Sequence, residues 1–530
     1  MDKKDLKYIL VLLPVSLFAF FSNIWVRPAD LMEARNFITA REMIQNGNYI
    51  IPTLNGYLRF EKPPLPTWFT ALVMKITGNI TDEYILRIPV AIAGILFIIL
   101  LYYFIKLLTK DSLKSFITAF VGATTFMLIK IGNENTWDMY PYVFAFGAVT
   151  FIIKGFQSEK VKYFLISGVF TAASVLSKGP IGIYGLMIPF FIAHTAVYGF
   201  KDYKRNWKKL FVMGVTTVIF AGAWPLAVYM KYPEIFIGVL KKEQGTWTTK
   251  HTESFVYYMD YFVYMGIWIF FSVMTLAKTW KERRSDDKDF SKFVFIWNVL
   301  VILSLSFIKM KKKRYGLPIY MTSVMGIGTI CHYYYDKLWC ELKKSDKILL
   351  YTQGGFMAFI SLAIPVVVFL KGYMYGTVKA WYVIMLLFIF IPFGYTVIKF
   401  LIDKNRWTIK FLIFGSGVLM LLVNVTTNWF FDRTLIKKTQ EILEYQKIKL
   451  VRETPPAFDI YAENYEIEDV WRVGKQIKNY VDAEVLPDKF IFFGEVPKEI
   501  TEDYIISKKE IYVKDDGHLA ELNYLKKQEV

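Results

Sequence analysis

The stretch KMKKKRYG, Lys309 to Gly316, places five cations in six residues between two long apolar runs. Basic clusters beside membrane helices ordinarily mark the cytoplasmic side. Whether this one obeys depends on how many apolar runs precede it, so counting those runs decides the fold. The chain has 530 residues, of which 55% are hydrophobic and 18% aromatic. Apolar runs near the ~20 residues needed to cross a bilayer recur along its length. A net charge of +18 raises nucleic acid as a partner. The basic residues, however, lie in short clusters between apolar runs, and no zinc-finger, helix-turn-helix or RNA-binding motif accompanies them. The composition therefore reads as an integral membrane protein with no nucleic-acid partner. Its two cysteines, Cys331 and Cys340, imply neither a disulfide framework nor a thiolate metal site.

The pattern predicts about thirteen spans, at roughly 8–25, 85–105, 115–131, 140–153, 163–177, 180–198, 210–230, 255–277, 291–308, 315–335, 348–370, 378–400 and 411–431. No small-residue cleavage site follows the first, which reads as an anchor rather than a removed signal. Lys3, Lys4 and Lys7 put the N-terminus in the cytoplasm. Alternate loops then follow the positive-inside rule, from Lys106, Lys110 and Lys114, through Lys281, Arg283 and Arg284, to Lys399, Lys404, Arg406 and Lys410. On this count KMKKKRYG lies outside, against the rule.

An odd number of spans also leaves the C-terminal stretch outside. There "KFIFFGEV", "DYIIS" and "EIYV" read as short strands, with a helix near Arg433–Lys449. The expected fold class is an all-α polytopic membrane protein with a small C-terminal α/β extracytoplasmic domain. The expected division is a membrane domain over 1–431 and the α/β domain over 432–530.

Three outer parts stand out. The loop over 26–84 is far longer than a connector requires. Its "LMEARNFITAREMIQNG" carries Leu31, Ala34, Phe37, Ile38, Met43 and Ile44 at helical spacing, with Gly47 as a stop. That predicts an amphipathic helix lying on the bilayer. In "RFEKPPLPTW", Pro63 extends Lys62, and Pro64 and Pro66 argue against a regular helix, so Glu61 and Lys62 are displayed on a stiff turn. The second part is carboxylates. Asp30 and Glu33 follow the first span. Asp138 sits at the mouth of the fourth beside Trp137 and Tyr140, where desolvation is expected to tune it toward a general base. The third part is cations: Lys178 in the tight link "LSKGPIG", and the opening cluster.

Carboxylates and cations on one outer lip suit a particular reaction. Outside the cytoplasm no pool of nucleotide sugars or ATP exists, so an activated group must arrive on a carrier. A polyprenyl phosphate keeps its tail in lipid and its phosphate at the interface. A transferase using it needs a carboxylate to activate the acceptor and cations to stabilise the departing phosphate. No Walker loop or dinucleotide fingerprint appears, so no nucleotide cofactor is expected.

At these residues the sequence resembles the GT-C class of lipid-linked-sugar glycosyltransferases, in particular the lipid A aminoarabinose transferase and protein O-mannosyltransferase family. Glu33, Arg35, Arg41, Glu42 and Met43 match that family's Asp-Glu-x-Arg-Tyr-Ala-Glu-x-x-Arg-Glu-Met helix. The "FEKP" of Phe60–Pro63 matches as it stands, as does the acidic residue at Asp138. "SKGP" resembles the family's Thr-Lys-Gly turn, and "KMKKKRYGLPIY" resembles its Lys-x-Lys-x-x-x-Tyr region more loosely. "HTESFVYY" is similar to the stretch where the family places a His before Phe-x-Tyr-Tyr. The likeness runs in order over roughly the first 330 residues.

The resemblance implies an inverting glycosyltransferase of the bacterial inner membrane with its active site on the periplasmic side. Asp30, Glu33 and Asp138 would be catalytic, and Lys62, Lys178, Lys309, Lys311 and Arg314 would bind the donor phosphate. Where the family has Asp before Glu, this chain has Met32, so either Asp30, through a small shift, or Glu33 alone fills the role. Glu61 and His251 could share a divalent metal, since carboxylate and imidazole suit zinc or a similar ion; the alternative is that His251 is an ordinary polar loop residue. The acceptor is lipid A, a protein or a polysaccharide. The rival readings are a lipid-linked polysaccharide ligase or polymerase, and a transporter or flippase. A transporter would carry mid-span ionisable residues and repeated halves, and neither is evident.

Overall fold

A computed structural model describes residues 3–25, 27–275, 288–376, 378–442, 457–483, 485–513 and 519–528. The basic cluster Lys281, Arg283 and Arg284, and residues 443–449 of the helix expected near Arg433–Lys449, lie outside these residues. A helical segment occupies each place where a span was expected. Among the described residues, however, only eight helices are long and apolar enough to cross a membrane alone, or nine if the bent pair Ser112–Ala123 and Phe126–Gly132 counts as one. The count of thirteen is thus not reached by length and apolarity. Val161–Lys178 and Leu317–Tyr335 carry Ser, Thr, Gly and Tyr where a lipid-facing span would be uniformly apolar. The chain is a multi-pass membrane protein.

The breaks have local causes. Asp111 caps Ser112–Ala123 by accepting from the Leu113 and Lys114 amides. That helix ends where the Thr124 and Thr125 hydroxyls turn back to the Phe120 and Val121 carbonyls, and the next helix leaves at 63°. Farther on, Gly266 at φ +67° kinks the run Tyr261–Trp268, a conformation that a side chain would disfavour.

The described residues divide into two compact units. The first comprises Met1–Ile24, Glu61–Leu65 and Val90–Phe430. Its centre is an aromatic cluster in which Trp297 stacks on Phe146 and meets Phe190, with centroids 6.2 and 5.2 Å apart. The buried Trp297 indole donates to the Leu186 carbonyl at 3.1 Å, so this large ring keeps its polar atom satisfied. Between helices, Asn298 donates to the Thr322 and Ser323 hydroxyls, both at 2.8 Å. Such interhelical bonds join spans that the hydrophobic effect cannot join within lipid.

The second unit comprises Trp25–Phe60, Pro66–Pro89 and Phe431–Val530. The long first loop thus folds with the C-terminal segment, a pairing the sequence analysis did not anticipate. A five-stranded sheet runs in the order Ile477–Asn479, Ile460–Ala462, Lys489–Phe493, Leu519–Lys527, Tyr504–Val513. The first three strands pair in parallel and the last two join antiparallel. "DYIIS" and "EIYV", expected as two strands, belong to one strand with an irregularity between Ile506 and Lys508.

The Leu31–Asn46 helix begins at Asp30, whose carboxylate accepts from the Met32 and Glu33 amides, and stops at Gly47 in the left-handed conformation. Its apolar side does not lie against a bilayer as expected. Ala34, Phe37 and Ile38 are buried in one core with Val470, Trp471 and Ile491. Burying such side chains is worth roughly 1.5–3 kcal/mol for each large one, which a protein surface supplies as well as lipid. A second expectation also fails: Leu65–Thr77 is helical despite Pro66. Proline is tolerated in a first turn, where its missing N–H would have had no partner.

Candidate functional site

In the membrane unit the side chains of interest converge on Asp138. This residue precedes the Met139–Ser158 helix and is buried, as are its neighbours Trp137 and Tyr140. The Lys178 ammonium, at the end of Val161–Lys178, donates to Asp138 Oδ1. Arg314 Nε lies 3.4 Å from Asp138 Oδ2, and the Thr136 hydroxyl donates to the same oxygen at 3.2 Å. Residues far apart in sequence thus share one carboxylate. Lys178 also lies over the Tyr315 ring, 4.2 Å from its centroid.

Burial alone would raise the Asp138 carboxyl, as the sequence analysis expected. The charges of Lys178 and Arg314 outweigh that desolvation and hold it below the ordinary carboxylate value. The upward shift expected from desolvation is thus reversed, and the carboxylate lies between two cations. Two cations on one carboxylate leave a surplus positive charge among the three groups. The charge of Lys62 also reaches Lys178. Lys62 itself is held by Glu243 at 3.2 Å, and beside it Glu61 meets Lys242 at 3.5 Å. The Glu61–Lys62 pair is therefore matched by the Lys242–Glu243 pair on the Pro233–Thr249 helix.

The cluster Lys309–Arg314 does not act as one patch. A short antiparallel bridge joins Thr252 to Met310 and orders the segment. Lys311 is buried and its ammonium donates to the Glu253 carbonyl at 3.0 Å; burial pushes that ammonium down, with Glu253 opposing. Lys313 binds Asp260 at 2.8 Å and lies over the Tyr257 ring. Lys309 is exposed. Arg314 alone of the five reaches Asp138. Lys62, Lys178 and Arg314 are thus brought together, and Lys309 and Lys311 are not.

Glu61 and His251 fit a metal poorly. His251 is exposed, with its carbonyl accepting from the Lys311 amide at 3.0 Å, and Glu61 faces Lys242. Among the described residues no group of three or more His, Cys, Asp or Glu side chains gathers that could hold an ion.

In the second unit Glu33 is buried and saturated. Arg87 Nε and Nη2 donate to its two oxygens at 2.8 and 2.6 Å, a bidentate fork. Asp30 is exposed and caps its helix with one oxygen, Oδ1. Sequence reasoning missed Arg87, Glu243 and Asp260. The complementary "EK" and "KE" pairs were the available signal for Glu243; Arg87 stood within an apolar run and gave none.

A model of the dolichyl-phosphate-mannose-protein mannosyltransferase family matches residues 61–237. Across 97% of this chain and 98% of the other, the structure superposes on ArnT from Cupriavidus metallidurans with a TM-score of 0.72 and 16% identity. The chain shares the fold of ArnT. A second ArnT structure, bound to undecaprenyl phosphate, gives a TM-score of 0.71. An Aeromonas hydrophila undecaprenyl phosphate-α-4-amino-4-deoxy-L-arabinose arabinosyl transferase is 22% identical over 82% of this chain and 80% of its own. The Photorhabdus laumondii protein of the same description is 23% identical over 64% of this chain, and an Aquifex aeolicus protein without assigned function is 24% identical over 59%. The matched regions span only 60% and 62% of those two relatives.

Proposed function

We propose that this chain is an inverting glycosyltransferase that moves a sugar from a polyprenyl-phosphate carrier to a cell-envelope acceptor at the periplasmic face of a bacterial inner membrane. The observation that carries the reading is the buried Asp138 shared by Lys178 and Arg314, with Lys62 nearby. A buried carboxylate that holds two cations ready suits a phosphate that gains charge as its sugar departs. The ArnT fold, and undecaprenyl phosphate in one ArnT structure, support the same carrier.

In the proposed step an acceptor hydroxyl attacks the sugar's anomeric carbon, and the bond from that carbon to the phosphate oxygen breaks. The electron pair leaves with the polyprenyl phosphate, which Lys62, Lys178 and Arg314 stabilise. The hydroxyl proton goes to a carboxylate. Arg314 offers a planar fork for phosphate oxygens, which a lysine cannot.

The test is mass spectrometry of lipids that copurify with the protein from its native membranes. The reading expects a polyprenyl phosphate or its glycosylated form, with the sugar mass naming the donor. Copurification of a pyrophosphate-linked oligosaccharide instead would favour a polysaccharide ligase.

A further inference from the structure

Of the three cations assigned to the phosphate, Lys178 and Arg314 share Asp138, while Lys62 is held elsewhere in the same unit. Its ammonium donates to Glu243 Oε2 at 3.2 Å. Glu243 belongs to Pro233–Thr249, a helix that is itself loosely seated. Among its described side chains only Phe236 is buried, while Ile235, Ile237 and Leu240 are exposed. The neighbouring Lys242 meets Glu61 at 3.5 Å, so two ion pairs tie this helix to Glu61 and Lys62. The charge of Glu243 also reaches Tyr315, whose ring lies on Lys178. A second carboxylate therefore stands among the cations that the proposed phosphate would meet.

The two carboxylates differ in how firmly they are held. The Asp138 side chain is 2% exposed and divided between two cations, so it stays where it is. Glu243 and Lys62 are 26% and 23% exposed and joined by a single contact. An exposed pair of this kind is worth at most about fivefold in an equilibrium, so it exchanges readily. A phosphate monoester carries roughly 1.5 to 2 negative charges near neutral pH, and a carboxylate carries one. We infer that Glu243 is the resident counter-anion of Lys62: it holds that ammonium while no carrier is bound, yields it to the carrier's phosphate, and so sets the affinity for the carrier. The inference rests on the reading that Lys62 belongs to the phosphate site. Its consequence falls on the product. The donor is a phosphodiester, and the carrier that remains after transfer is a monoester of higher charge. Without an opposing anion the site would hold its spent carrier more tightly than its substrate. Glu243 returning to Lys62 favours release.

The experiment measures binding of undecaprenyl phosphate to the full-length protein in nanodiscs. It compares the parent with Glu243→Gln, Glu61→Gln, Lys62→Ala and the double variant Lys62→Ala/Glu243→Gln. Glu243→Gln should tighten binding roughly three- to fivefold, the scale of one exposed ion pair. Glu243→Ala, which removes the whole carboxylate arm, should tighten it equally. Lys62→Ala should weaken binding roughly tenfold, the scale of one charged hydrogen bond. Glu61→Gln removes the same charge from the other pair without freeing Lys62, and should bind like the parent. In the Lys62→Ala background, Glu243→Gln should add nothing. Breaking a merely structural pair would leave binding unchanged or weaken it, so either result in both Glu243 variants overturns the inference. Equal tightening in Glu61→Gln, or in the Lys62→Ala background, also overturns it, because both would mark long-range charge rather than exchange on Lys62. The underlying reading is tested separately. Parental binding in Lys62→Ala would place the phosphate away from Lys62, and the inference would fall with that reading. Weakened binding in Lys62→Ala beside parental binding in both Glu243 variants would leave the reading standing and remove the inference alone.

Discussion

Asp138 and Glu33 are both buried carboxylates facing cations, and their surroundings assign them different work. Glu33 meets one arginine that satisfies both its oxygens, and Glu83 faces the same arginine, so no positive charge remains over. Asp138 divides its oxygens between a lysine and an arginine, so positive charge remains over. A closed pair is a structural joint. An open one has capacity for a further anion, and in a membrane protein that anion has to reach the interface. The difference is one cation, and it separates a clamp from the proposed binding site.

The largest effect expected from this contrast is on Glu33. Removing one partner of a closed buried pair strands the other charge, at a cost of about 3–5 kcal/mol. Glu33→Gln should therefore lower the thermal midpoint sharply, read by static light scattering on the detergent-solubilised protein. A midpoint equal to the parent's would mean that Glu33 is not a joint at all. Asp138→Asn should behave differently, because the Lys178 and Arg314 side chains keep 12% and 19% of their exposure while Arg87 keeps 2%, so water can solvate the released charges. Its main effect should be on turnover, down roughly ten- to a hundredfold as Lys178 and Arg314 lose their orientation. Greater loss of fold than of turnover in this variant would erase the distinction between the two carboxylates.

The smallest effect is a pH response. Lys178 and Arg314 hold the Asp138 carboxyl below its ordinary value of 3.8. A depressed carboxyl stabilises the fold fully above the unfolded value and ceases to do so as pH falls through the folded one. This group should thus contribute nothing to the pH dependence of stability or turnover between pH 5 and 8, and should weaken the fold only below about pH 4. Comparing the parental and Asp138→Asn profiles isolates it. A limb near neutral pH present in the parent and absent in the variant would mean a raised carboxyl and restore the general-base reading.

Much of this molecule was legible in advance where the signal is one-dimensional. Apolar runs marked where helices lie, and Asp30 and Gly47 marked the ends of the Leu31–Asn46 helix, since caps act within a few residues. Lys178 and Arg314, which meet at Asp138, were also nominated. What could not be read is which of them meet. KMKKKRYG looked like a single patch, yet its side chains turn to Asp260 and the Glu253 carbonyl in one stretch and to Asp138 more than a hundred residues before them. The partner of the first loop was hidden for the same reason. Phe37 and Ile38 announce an apolar face but not whether lipid or Trp471 covers it.

Lys178 and Arg314, poised on Asp138, are proposed to receive the carrier's phosphate. Binding of undecaprenyl phosphate to the purified protein in nanodiscs tests it most directly, with Lys178→Ala, Arg314→Ala and Lys309→Ala beside the parent. The first two should each weaken binding by roughly tenfold or more, the worth of a charge-assisted contact, while Lys309→Ala binds as the parent does. Parental affinity in folded Lys178→Ala and Arg314→Ala, with a loss in Lys309→Ala, would place the phosphate elsewhere and contradict the account.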